Sequence, residues 1–298
     1  MKACVFENTH YVDITGENHW VKKQMDLYHE EAVARGVRII PSCGYDSLPS
    51  DLGTLCAINK RNQAVKKVEV FHSAFGGASG GTIESIFTMG RLPKEMRDPF
   101  LLNPKGSVSE LQRGSSKDSI KIKWIDEAKK WSGLGLFAVA NTRVVRRSAA
   151  LMEMSQKPYG ANFTFKEHGA YSSKSAARLA TFGLIAAFLV ISTPLKHLVR
   201  RFLPKPGEGP STEIQEKGWF KGVFIAEAED GEKQVSTIYG DGDPGYKSTS
   251  KMVCESALTI ALCNDLPGGE NFGGFLTPAS GLGQPLIERL KNDAIRFN

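Results

Sequence analysis

The sequence predicts an α/β protein, on three observations. Short apolar runs alternate with amphipathic stretches of helical length through the first quarter of the chain. One run, Val37 to Ile40, is almost continuously apolar, as suits a strand covered on both faces. It breaks at Pro41 into a polar turn, Ser42 to Ser47, which leads straight into a helical pattern. In open parallel sheets ligands bind beyond the carboxyl ends of the strands, so that turn stands where chemistry is expected.

Lys2 to Asn8 reads as the tail of a helix, and Thr9 to Thr15 (THYVDIT) as a strand ending at Gly16 and Glu17. A helix over Val21 to Arg35 follows, with Met25, Leu27, Tyr28, Ala32 and Val33 near one face and Gly36 as its stop. After the turn, Ser47 or Ser50 can cap a helix running to about Asn59, with Pro49 and Asp51 suited to its first turn. A strand at Val65 to Ala74 comes next. This alternation predicts right-handed crossovers and a parallel sheet that starts in mid-fold, its first βα units missing.

The run Gly76-Gly77-Ala78-Ser79-Gly80-Gly81-Thr82 invites a phosphate-cradle reading, but its spacing fits neither G-x-G-x-x-G nor a P-loop. A close backbone crossing or a substrate-facing loop outweighs a nucleotide site there. From Leu92 to Ser132 the pattern weakens through Pro93, Pro99 and Pro104, with a strand or strand entry at Ile120 to Asp126. Leu136 to Leu151 sets apolar residues before a basic cluster, and Tyr159 to His168 alternates like a strand, so a second, mixed α+β domain is expected.

Leu179 to Leu195 holds no charged residue and is flanked by Arg178, Lys196, His197, Arg200 and Arg201. Its length is at the lower edge of what crosses a bilayer. Burial in the core or a dimer interface and contact with a membrane surface weigh equally on sequence alone. Pro204 to Gly218 is a linker by composition; Trp219 to Ala228 and Lys233 to Tyr239 form a hairpin around Asp230-Gly231. Gly240 to Tyr246 reads as a turn rather than a calcium loop, and helices over Ser248 to Cys263, capped by Ser248 or Thr249, and Gln284 to Asn292 bracket a glycine-rich stretch.

A net charge of +6 and a pI near 9.0 are mildly basic. Arg143, Arg146 and Arg147 cluster without aromatic interleaving, which speaks for a solvated face or an anionic-ligand site and against nucleic acid. Five irregularly spaced cysteines make neither a disulfide framework nor a zinc site and point to a reducing, intracellular setting. No signal or transit peptide is expected. No metal constellation is expected either, and His10 and His72, within strands, read as structural.

Six segments carry a family resemblance: Thr9 to Glu17, Pro41 to Gly53 (PSCGYDSLPSDLG), Gly76 to Ser85, Arg143 to Leu151, Tyr239 to Met252 (YGDGDPGYKSTSKM) and Gly273 to Leu290. Together they resemble the saccharopine dehydrogenase-like oxidoreductases, relatives of bacterial trans-acting enoyl reductases. The resemblance implies a partial, N-terminally truncated Rossmann-type parallel sheet in 1–75, an inserted substrate domain with the apolar segment 179–195 and linker 204–218 in 76–240, and a return to the first domain in 241–298. It also implies hydride transfer with NAD or NADP on a small hydrophobic or lipid-like substrate, with a glycolipid-synthesis link for some relatives. A mitochondrial or lipid-droplet location follows, with membrane contact through 179–201 and homodimerisation as the other use of that surface. With a cofactor over the sheet edge, Asp13, Thr15, Gly16, Glu17, Cys43, Gly44 and Ser47 would flank the nicotinamide, with Tyr45 and Asp46 as acid/base candidates. Without a pyrophosphate cradle the chain is expected to bind nucleotide poorly, and a cofactor-free membrane or lipid-droplet surface protein is the alternative.

Overall fold

The computed structural model describes residues 1–61, 63–77, 79–89, 94–118, 120–293 and 295–298. A short helix α1 (Lys2–Phe6) precedes strand β1 (Tyr11–Val12), helix α2 (Asn18–Ala34), strand β2 (Arg38–Ile40), helix α3 (Leu48–Arg61) and strand β3 (Val65–Phe75). Helix α2 buries Val21, Met25 and Ala32 against Val37, Ile39 and Phe275. Leu27 and Val33, expected on that face, are exposed. Gly36 ends the helix with φ +64°, a left-handed conformation that glycine adopts without a Cβ penalty.

Then come α4 (Gly80–Met89), α5 (Glu110–Ser115), β4 (Trp124–Ile125), β5 (Lys130–Gly133), α6 (Ala138–Met154), β6 (Thr164–Tyr171), α7 (Lys174–Ile191) and α8 (Lys196–Val199). The chain closes with α9 (Thr212–Lys217), β7 (Trp219–Ala228), β8 (Lys233–Asp241), α10 (Lys247–Leu262), β9 (Gly274–Phe275), α11 (Pro278–Gly281), α12 (Gly283–Asn292) and β10 (Ile295–Phe297).

Two sheets organise these elements. The small one is parallel, in the order β1-β2-β9; the large one is mixed, in the order β10-β8-β7-β3-β6-β5-β4. The expected continuation of the parallel sheet into Val65 to Ala74 is therefore corrected. β2 already has β1 on one side and β9 on the other, so no edge is left for β3, which becomes the middle strand of the large sheet, parallel to β6 and antiparallel to β7. The β7–β8 hairpin forms as its Asp230-Gly231 turn predicts, with Gly231 at φ +85°.

Helix α3 lies between the sheets: Leu48, Leu52 and Leu55 share one core with Val68, Val70, Phe165, Phe220 and Phe224 of the large sheet and with Leu282, Leu286 and Leu290 near the C-terminus. The fit is close. A Cβ added at Gly53 would stand 2.2 Å from the Phe224 ring, so alanine there would push α3 off β7.

The basic cluster on α6 is also corrected. Arg143, Arg146 and Arg147 are only 1–2% exposed, and their guanidiniums donate to the carbonyls of Met96, Pro99, Leu102, Ser116, Phe165 and Phe275 and to Asp118. They clamp the irregular 96–118 segment to the core rather than forming a solvated face.

Candidate functional site: the rim between β1 and β2

The polar exits of the two neighbouring parallel strands β1 and β2 meet on one rim, as the strand order predicts. Tyr11 pairs with Ile39 and Val12 with Ile40, and the ladder gains one further bond where Cys43 N donates to the Asp13 carbonyl at 2.7 Å. Asp13 then organises the turn. Its Oδ1 accepts from Thr15 N (2.9 Å) and Ser42 N (3.1 Å), and its Oδ2 from the Tyr11 hydroxyl (2.9 Å). Burial, with Asp13 beside it, holds the Tyr11 phenol well above its ordinary pKa.

Ser42 sits at φ +64°, strained for a residue with a side chain, and is held there by the bond from its N–H and by its Oγ donating to the Thr15 carbonyl at 2.7 Å. The two strand exits touch at Gly16 and Asp46. A Cβ at Gly16 would stand 2.9 Å from Asp46 Oδ2. Gly44 is nearly as tight, its added Cβ meeting Ile14 at 3.1 Å and Thr249 at 3.2 Å. Tyr45 N donates to Thr249 Oγ1 at 3.1 Å, which ties the rim to α10.

What the rim presents is Thr15, Gly16, Glu17, Tyr45 and Asp46, all half-buried, with Gly44 closing the wall. Cys43 and Ser47 are enclosed. The Cys43 thiol, pushed up by burial, donates to the Ile40 carbonyl, and the Ser47 hydroxyl donates to Asn141 Oδ1 at 3.1 Å. Their side chains therefore support the rim rather than face a ligand, a correction that follows from their having no exposed polar atom to offer. Asp13 is similarly spent on the turn. Nor do Ser47 and Ser50 cap α3; both hydroxyls reach across to α6 and the large sheet.

Desolvation dominates the electrostatics of the rim. It raises the Asp46 carboxyl to about 6, and it keeps the Tyr45 phenol protonated, its ring edge-on to Phe220 at 5.2 Å and to Phe137 and His72. Directly beneath is a buried polar cluster that sequence reasoning missed. Glu167 Oε2 accepts from Ser50 Oγ (2.7 Å), Glu167 Oε1 from Asn141 Nδ2 (2.8 Å), and Ser50 Oγ is 2.8 Å from His72 Nε2. Burial pushes Glu167 up to about 7, against the pull of its two hydrogen bonds, and His72 down to about 4. The one signal for this cluster was an acidic residue at an inward position of the alternating segment Tyr159 to His168.

For a dinucleotide the fit is uneven. Thr15, Glu17 and Asp46 offer polar groups around a narrow wall of glycine, which suits the edge of a flat ring. A pyrophosphate needs converging backbone N–H groups, and among the described residues no glycine-rich strand–turn–helix supplies them. The glycine run after β3 is a close crossing instead: Cβ atoms at Gly76, Gly77 and Gly80 would strike Asp243 and Pro244, Pro210, and the Lys205 carbonyl. Its Ala78 lies outside the described residues, as do Leu92 and Pro93 of the weakly patterned stretch.

No family model matches the chain. Relatives matched over nearly all of this chain do. A Mycobacterium tuberculosis protein assigned as a trans-acting enoyl reductase is 33% identical over 97% of this chain and 73% of its own length. The trans-acting enoyl reductase of Mycobacterium bovis is 32% identical over the same shares, and that of Mycobacterium leprae 30% over 98% of this chain and 74% of its own. The chain belongs to the trans-acting enoyl reductase family. It is thereby placed among oxidoreductases whose members imply a nicotinamide cofactor, and it spans about three quarters of the length of these trans-acting enoyl reductases. Among solved structures, an apo saccharopine dehydrogenase from Saccharomyces cerevisiae is similar with a TM-score of 0.45 and 12% identity, covering 100% of this chain and 81% of the other.

Proposed function

We propose that the protein is an NAD(P)H-dependent reductase acting on a small hydrophobic, lipid-like substrate, with the β1–β2 rim as the nicotinamide end of its site. The observation that carries the reading is the contact of Gly16 with Asp46, where two parallel strand exits converge in a chain of enoyl reductase kinship. When bound, the dinucleotide supplies the hydride. Thr15, Gly16, Glu17 and Gly44 would hold the edge of its ring, and the Tyr45 ring, packed on Phe220, would keep water from the reacting face. Asp46 holds the proton for the atom next to the hydride-accepting carbon, where the electron pair of the reduced double bond ends; desolvation keeps a fraction of it protonated near neutrality, where an exposed aspartate would be almost wholly ionised.

Titration of the chain with NADH and NADPH, followed by fluorescence and calorimetry, tests the reading. Weak but saturable binding is expected, because the rim offers groups for a ring edge while no pyrophosphate cradle is found among the described residues. No binding of either nucleotide at millimolar concentration would end it. In an NADPH-oxidation assay Asp46→Asn should slow turnover by roughly 10²-fold or more and remove the limb of the pH profile near 6. An unchanged profile would take the proton away from Asp46. A second reading, a cofactor-free protein of lipid surfaces, draws support from the outward apolar face of α7, and the same titration separates the two.

A further inference from the structure

We propose that α7 and the turn after it form a platform that lies in the plane of an anionic membrane surface. The inference is independent of whether the rim binds nucleotide. Helix α7 is apolar enough over its 18 residues to enter a bilayer, yet only 17% of them are buried in the protein. Its inward stripe is Ala177, Thr181 and Ile191: Thr181 Oγ1 accepts from Leu134 N at 3.0 Å, and Ile191 packs on Ile83 and Phe87. The opposite stripe, at helical spacing, is Leu179 (78% exposed), Phe182 (63%) and Leu189 (64%).

Exposed apolar side chains continue beyond the helix. After Ser192 to Pro194 the chain turns into α8; Leu195 just before it and Leu198 within it are exposed, followed by Phe202 at 82%. Arg200 holds this turn in place through Glu84, with Nη2 to Oε2 at 2.8 Å. Six large apolar side chains are thus presented by one braced unit. A helix fixed lengthwise to the globular body by its inner stripe cannot also cross a bilayer, so the geometry is that of a helix lying in the interface.

Charge selects the occupant. From Lys174 to Gly207 there are six cations, Lys174, Arg178, Lys196, Arg200, Arg201 and Lys205, and no Asp or Glu. Arg178, Lys196 and Arg201 make no ion pair among the described residues. A second copy related by a two-fold axis would bring this patch against itself, cations against cations. Anionic head groups are complementary to it, and the long basic stems can lie along the apolar surface while their charges reach phosphate.

Flotation of the full chain with phosphatidylcholine vesicles, with and without phosphatidylglycerol, tests the proposal. Co-flotation with the anionic vesicles is expected. It should fall at least tenfold in Leu179→Asp/Phe182→Asp/Leu189→Asp, with circular dichroism and thermal melting confirming that the variant is folded. Lys196→Glu/Arg201→Glu should lower binding about tenfold and blunt its salt dependence. Three results would overturn the proposal: wild type that stays at the bottom of the gradient with both vesicles, equal binding to neutral vesicles, or a stable solution dimer that the aspartate substitutions dissolve.

Discussion

Helices α6 and α7 are nearly equal in length and separated by a single strand, yet the charged one is inside and the apolar one outside. α6 brings three arginines into the core, where desolvation pulls Arg146 and Arg147 down to about 10, still cationic at neutral pH. α7 carries no charge between Leu179 and Ile191 and leaves most of that surface uncovered. The difference lies in available partners. Around α6 the irregular 96–118 segment exposes backbone carbonyls that no strand or helix satisfies, and guanidinium forks reach several at once. Around α7 the large sheet offers only a narrow seat beside β5 and β6, filled by Ala177 and Thr181. Polarity states what must be satisfied; the neighbours decide where.

The strongest way to break the comparison is at Arg147. Arg147→Met keeps bulk but leaves the Leu102 and Phe275 carbonyls, which one guanidinium bridges, without their donors. A loss of roughly 3–5 kcal/mol in urea unfolding is expected. A loss below about 1 kcal/mol would mean that water or local rearrangement replaces the guanidinium, and that the inward arginines do not hold the 96–118 segment.

Local pattern made half of this arrangement legible. The β1 and β2 exits and the β7–β8 hairpin are written in short runs with their own punctuation, Pro41 and Asp230-Gly231, and they form where expected. Pairings made over distance were not legible. β9, two residues inside a glycine-rich stretch, becomes a strand only because β2 has an open edge, and taking that edge sends β3 to the other sheet. The arginines misled for the same reason, since the partners of Arg147 lie 45 and 128 residues away. At the site, the rim residues follow from strand order alone. The cluster of Ser50, His72, Asn141 and Glu167 needs four elements, α3, β3, α6 and β6, to meet, and a lone glutamate in a strand does not announce them.

That cluster gives a second test, because Asn141 of α6 helps to hold a carboxyl that is uncharged for much of the physiological range. Glu167 titrates near 7 in the fold against 4.5 when free, so the folded state keeps its proton longer and stability falls as pH rises from 4.5 through 7. His72 has the opposite sign: with its pKa lowered to about 4 from 6.5, it costs stability as pH falls from 6.5 to 4. Glu167→Gln removes the first effect. Relative to wild type it should gain on the order of 2–3 kcal/mol between pH 4.5 and pH 8 in chemical denaturation, leaving the acid-side loss from His72 in place. Parallel pH curves for the two proteins would show that Glu167 is ionised in the fold.

The smallest expected effect is the most telling for α7. Leu179 and Phe182 touch little in the fold, so Leu179→Ser and Phe182→Ser should change unfolding stability by no more than about 0.5 kcal/mol, within the range of ordinary surface substitutions. A buried leucine or phenylalanine cut back in this way would cost several times as much. If either substitution destabilises the isolated chain like a core change, another part of the protein covers the stripe, and α7 is a second inward helix rather than the counterpart of α6. If both leave the melting curve where it was, the fold does not need those side chains, and their apolar character calls for an explanation outside the monomer's own stability.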